Sequence, residues 1–163
     1  MTEVPTQWRP AASLRAVAAA FALGAFCVLG FAPFDAWFAV WPAPTFALGG
    51  LFLLWRRAAT AREALLLGLA WGAGCFLFGV SWVYVSLHDV GGMAAPLAAL
   101  ATLLFCGGLA LFPAAAGYVF RRVASAEFSK PMHDALLVAG LWTLAEWLRG
   151  WLLTGFPWLA LGY

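Results

Sequence analysis

Three successive runs of this chain, Ala16–Phe34, Ala36–Trp55 and Ala64–Leu87, contain no charged side chain. Crossing the roughly 30 Å hydrocarbon core of a bilayer takes about 20 apolar residues of helix, and each run is of that order. A fourth run, Val90–Phe120, exceeds one crossing, so Gly91 and Gly92, with Pro96 beyond, read as a loop feeding a helix. A fifth begins at Ala135, after Pro131 and with Asp134 placed to cap it. Composition agrees: 65% of the 163 residues are hydrophobic and only 10% charged, against about 25% charged in soluble domains. The reading is an all-α polytopic membrane helix bundle of about five transmembrane helices, over about 14–32, 36–55, 64–87, 95–120 and 135–155.

Basic residues set the expected orientation. Arg9 and Arg15 precede the first span, Arg56, Arg57 and Arg62 separate the second from the third, and Arg121, Arg122 and Lys130 separate the fourth from the fifth. The alternate connections, around Asp35 and around His88-Asp89, contain no Lys or Arg. The positive-inside rule therefore puts the N-terminus and the basic loops in the cytoplasm and Tyr163 on the other side. No small-x-small cleavage site precedes Pro33, so the first span reads as an uncleaved helix rather than a signal peptide. Trp37, Trp41, Trp55, Trp151 and Trp158 fall near expected span ends, where an indole can keep its N–H polar. A net charge of +2, with the cations at span boundaries, gives no nucleic-acid surface.

Small residues at Gly68, Gly72, Cys75 and Gly79 recur on one face of the third span and read as a seam where backbones approach closely. Pro113, with Gly107, Gly108 and Gly117 nearby, is expected to bend the fourth. Cys27, Cys75 and Cys106 are odd in number, lack CxxC spacing and have no His, base or cation beside them in sequence. They read as buried apolar side chains rather than nucleophiles or metal ligands, and the chain implies neither metal nor cofactor.

Chemistry concentrates in Glu146–Tyr163, which reads EWLRGWLLTGFPWLALGY. Counted from Ala135 at 1.5 Å per residue, Glu146 lies roughly 16 Å and Arg149 roughly 21 Å into the bilayer, where an ionisable group needs a partner. Their i,i+3 spacing permits an ion pair within one helix. Three uses are open: mutual neutralisation that locks the span, contact of Arg149 with a lipid phosphate or another domain, and proton or ion transport. A transporter usually shows several intramembrane polar sites or paired broken helices. Elsewhere, His88 beside Asp89 reads as a helix-end cap, Ser86 has no triad, and Asp35 marks a tight turn.

Taken together, FAPFDAW at Phe31–Trp37, WGAGCFLFGVSWVYVS at Trp71–Ser86, GGM at Gly91–Met93 and the Glu146–Tyr163 stretch resemble bacterial apolipoprotein N-acyltransferases. The last motif is the most specific, and the resemblance runs from about the first span to the final residue. It implies an inner-membrane enzyme of lipoprotein maturation, with an eight-helix membrane bundle and a periplasmic carbon–nitrogen hydrolase domain holding a Glu-Lys-Cys set. The implied reaction moves an acyl chain from a phospholipid, through a cysteine thioester, to the N-terminal diacylglyceryl-cysteine of an apolipoprotein.

This sequence has no position matching that catalytic set: the three cysteines do not align with the nucleophile, and Lys130, the only lysine, falls in a basic loop. The expectation is therefore an N-terminal transmembrane region without catalytic residues of its own. It would lie under the active site, with Glu146, Arg149, Trp151 and Trp158 as candidates for lipid or interdomain contact. A small transporter or channel subunit, or a membrane scaffold for a separate catalytic partner, are the competing readings.

Overall fold

A computed structural model describes residues 12–31, 42–124, 130–152 and 155–161. The turn expected at Asp35, the rim positions Trp37 and Trp41, Arg9 and the end at Tyr163 lie outside these residues. The described chain is helical throughout, with no strand among the described residues. Helix α1 spans Leu14–Cys27 and runs into a 3-10 turn at Val28–Gly30, followed by α2 (Ala43–Arg57), α3 (Ala61–Gly79), α4 (Trp82–Val85), α5 (Ala95–Val123) and α6 (Pro131–Arg149).

Helix starts follow local chemistry. Ser13 accepts a hydrogen bond from Ala16 N–H at the head of α1. Thr60 caps α3 by accepting from Glu63 N–H at 3.1 Å, while the Glu63 carboxylate accepts from Ala59 N–H at 2.7 Å. This is a reciprocal arrangement close to a capping box. A proline within the first two positions opens each of α2, α5 and α6, where the missing N–H costs no helical bond. Asp134 is therefore not the cap of the last helix. Lys130 occupies that position, and Asp134 lies one turn inside.

Helix α3 is the central element, packed against α5 on one side and α1 on the other. Its small residues divide among three contacts rather than forming one seam. Gly68 and Gly72 face α5, where a Cβ on Gly72 would stand 2.8 Å from Ala110 Cα. Gly74, outside the expected stripe, lies against the Phe21 carbonyl of α1, and Gly79 meets the Leu159 side chain. Only a missing side chain lets backbones approach this closely. Helix α5 continues through Pro113, whose carbonyl rests against Gly68.

One helix was expected over 64–87, but α3 ends at Gly79. Val80 takes a non-helical φ of −125° and ψ of 5°, then a single α-helical turn at Trp82–Val85 leads into a π-turn at Ser86–Val90. Trp55 also departs from its expected rim position. It is 1% exposed, its indole N–H donates to the Ala64 carbonyl at 3.0 Å, and its ring meets Phe120. The indole finds its polar partner inside the bundle, so it has no need of the interface.

The outward surface is apolar. Leu97, Leu100, Leu103, Leu104 and Leu111 are all exposed along α5, as are Phe46, Phe78, Leu136 and Trp147 on other helices. Two helices, α3 and α5, are long and apolar enough to cross a membrane.

Candidate functional site

Helix α6 ends at Arg149, before the expected 155, because the chain turns back on itself there. The Phe156 N–H donates to the Arg149 carbonyl at 2.9 Å, and Gly155 supplies the φ of +79° that the reversal needs. Arg149 thus belongs to a final helical turn, where a cation also complements the helix dipole.

The returning segment, 155–161, is held by the two charged side chains. The Leu161 N–H donates to Glu146 Oε1 at 3.0 Å, and the same oxygen accepts from Trp142 Nε1 at 3.0 Å. Arg149 Nη1 donates to the Trp158 carbonyl, and its guanidinium lies 5.2 Å from the centre of the Phe76 ring on α3. Arg149 is only 4% exposed. No N–O contact within 4.0 Å joins Glu146 to Arg149. The i,i+3 spacing permits that contact, yet each group instead bonds backbone of the returning segment, Glu146 taking the Trp142 indole as well. A buried charge satisfied this way holds one chain conformation.

Apolar contacts complete the clamp. Leu159 sits at φ +58°, a left-handed conformation that costs a non-glycine residue about 1–2 kcal/mol. Its side chain fills the space beside Gly79 and packs with Phe156 on the Phe76, Val80, Cys106, Leu109 and Ala110 cluster. Phe156 meets Phe105 edge-on at 4.9 Å, and Trp158 meets Trp82 at 5.6 Å. The break in α3 therefore lies where the C-terminal segment docks.

Of the four candidates, Glu146 and Arg149 come together in this clamp. Trp158 joins it through its carbonyl, while its ring is 54% exposed against Trp82. Trp151 stands apart, exposed and stacked edge-on with Trp147 at 5.2 Å. Trp142 was missed, although its i,i+4 spacing to Glu146 was a readable signal.

Two spaces adjoin the clamp. One, of about 20 Å³, is lined by Cys27, Trp71, Cys75, Glu146 and Arg149 among others. It has room for about one water molecule and none for a substrate. Cys75, which has no charged neighbour in sequence, is here beside both charged groups. Cys27 lines the same space, and both cysteines are buried, so neither meets a substrate. The other space is an apolar groove of about 670 Å³ between α5 and α6, walled by Leu104, Phe105, Leu141, Leu148 and Leu152, with Arg149 at its lining.

The π-turn forms no second site. His88 Nδ1 lies 2.8 Å from the Met93 carbonyl, which can only accept, so this nitrogen carries the proton and closes the loop. Among the described residues no group of three or more His, Cys, Asp or Glu could hold a metal.

Fold and clamp define a class: an all-helical bundle with apolar outer faces and two helices of membrane-spanning length, its last helix end tied down by a half-buried acid and a buried base. The family described as apolipoprotein N-acyltransferase N-terminal domain matches residues 23–163, and the chain belongs to it. It is 50% identical over 145 residues to a protein of Nitrosomonas europaea named apolipoprotein N-acyltransferase, covering 89% of this chain and 28% of that protein. Proteins of the same name from Vibrio vulnificus and Ralstonia nicotianae are 43% and 42% identical, over 91% and 94% of this chain. The chain spans 28–29% of the length of these curated relatives.

Proposed function

We propose that the chain is the N-terminal membrane part of an acyltransferase of lipoprotein maturation. The enzyme moves a fatty acyl chain from a phospholipid to the N-terminal diacylglyceryl-cysteine of an apolipoprotein. The observation that carries this reading is the family match over residues 23–163, together with 50% identity to a relative bearing that name. No cofactor and no nucleic acid enter the reaction.

Five spans cross the bacterial inner membrane, with the N-terminus and the Arg56-Arg57-Arg62 and Arg121-Arg122-Lys130 connections in the cytoplasm. The clamp then lies at the opposite, periplasmic end. There Glu146 and Arg149 fix the returning segment, and Trp151 and Trp158 present exposed indoles at the level where lipid head groups and a periplasmic catalytic domain meet. The apolar groove beside Arg149 supports lipid contact at this end. The 163 residues hold the membrane frame of the reaction but do not catalyse it.

Reporter fusions at positions 60, 92 and 130 test the orientation, with 60 and 130 expected in the cytoplasm and 92 outside it. Membranes that contain the 163-residue chain and lack any host N-acyltransferase should give no N-acylated lipoprotein. Measured N-acyl transfer there would overturn the assignment of a purely supporting role.

A further inference from the structure

Toward the basic end of the bundle, α2 and α6 line a groove of about 340 Å³. It is lined by Leu48, Gly49, Phe52 and Trp55 on α2 and by Val138 and Trp142 on α6, among others. Every polar side-chain group in its wall is already engaged. Trp55 Nε1 donates to the Ala64 carbonyl, Trp142 Nε1 to Glu146, and Thr143 Oγ1 to the Ala139 carbonyl. The wall therefore offers nothing to a polar solute and favours a hydrocarbon guest.

The mouth is different. Arg56, over the Phe52 ring at 5.8 Å, uses Nε to donate to Asp134 Oδ2 at 2.9 Å and keeps its outer nitrogens on a side chain 30% exposed. Arg57, Lys130 and His133 are exposed around the same junction of helix ends. Among the described residues there, Arg56, Arg57 and Lys130 outnumber the carboxylates of Asp134 and Glu63. Along α6 the lining runs from Ala135 to Thr143, about 12 Å at 1.5 Å per residue. That length is short of a whole crossing and close to one leaflet's half of the hydrocarbon core, about 15 Å. A packing seat for another transmembrane helix would need to run further.

We infer that the α2–α6 groove holds one acyl chain of an anionic phospholipid from the leaflet at the basic end, its phosphate on Arg56 and Arg57. This lipid is structural, at the end away from the Glu146–Arg149 clamp. The inference rests on the membrane reading above but not on the acyltransferase reaction.

The test is native mass spectrometry of the full 163-residue chain released from detergent, titrated with phosphatidylglycerol or phosphatidylcholine of identical chains. One phosphatidylglycerol should be retained, roughly five-fold in preference to phosphatidylcholine, the scale of one basic residue near an anionic head group. Gly49→Leu, at a position where a Cβ meets nothing within 4 Å, should fill the groove and abolish retention while leaving the helical circular dichroism unchanged. Ala139→Leu is the second groove-filling variant should the first not fold. Arg57→Gln should reduce the preference without abolishing binding. Equal retention of both lipids, or retention unchanged by groove filling, overturns the proposal. So does loss of a dimer of the chain on groove filling, which would make a second copy the occupant. A chain that never enters detergent or vesicles would instead defeat the membrane reading itself.

Discussion

Arg56 Nε donates to Asp134 Oδ2 at 2.9 Å across 78 positions of sequence, joining the end of α2 to the start of α6. Asp134 is 2% exposed, so replacing Arg56 takes a charge-assisted hydrogen bond away from a buried carboxylate. Breaking a buried pair typically costs about 3–5 kcal/mol. Because Arg56 is partly exposed, Arg56→Gln should cost about 1–3 kcal/mol, read as a lower unfolding temperature in detergent. Arg56→Gln combined with Asp134→Asn should recover part of that loss, since no charge is left buried.

Glu146 works as a double acceptor, so its hydrogen-bonding oxygen matters more than its charge. Glu146→Gln keeps an oxygen for Trp142 and Leu161 and should cost less than about 1 kcal/mol. Glu146→Ala leaves both donors without a partner and should cost about 1–3 kcal/mol. Thermal unfolding of the two variants side by side decides the point, and equal losses would count against the double-acceptor role.

Arg149→Leu should free the segment 155–161 while leaving α1–α5 folded. Hydrogen exchange checks this directly: Leu161 and Phe156 amides should lose protection, and amides in α3 should keep theirs. Arg149→Lys should restore it only in part, because an ammonium lacks the planar fork that reaches the Trp158 carbonyl while lying on Phe76. Under the proposed reading, the same substitution in a full-length acyltransferase that lowers folded yield without changing turnover per folded molecule would assign Arg149 to structure alone.

The two kinds of glycine predict opposite outcomes. Gly72→Val drives a branched side chain into Ala110 and should cost more than about 3 kcal/mol or prevent folding. Gly107→Ala meets nothing within 4 Å and should stabilise α5 by up to about 1 kcal/mol. Unfolding temperatures of both variants provide the check.

The all-helical character and the prolines that open α2, α5 and α6 could be read from runs and breakers, because those signals are local, whereas the ends of α3 at Gly79 and of α6 at Arg149 could not. Nor could the register between helices. Arg56 and Asp134 each look like ordinary boundary charges until α2 and α6 are placed side by side. Trp55 looks like a rim residue because it precedes Arg56-Arg57, yet its donor is used by Ala64, nine positions on, after the chain has turned. The use of Glu146 and Arg149 depended on the reversal at Gly150–Gly155, which sequence showed only as a proline and a glycine near a helix end. The split of the glycine face followed from α3 having neighbours on two sides, a fact no single-helix periodicity contains.

Helix α6 is fastened by charged side chains at each tip, Asp134 at one and Arg149 at the other, about 20 Å apart along the axis. Grooves flank it on both long sides. Pinned at both tips and seated on the core through Leu137, Leu141 and Trp142, the rod keeps its register even where its sides stand open.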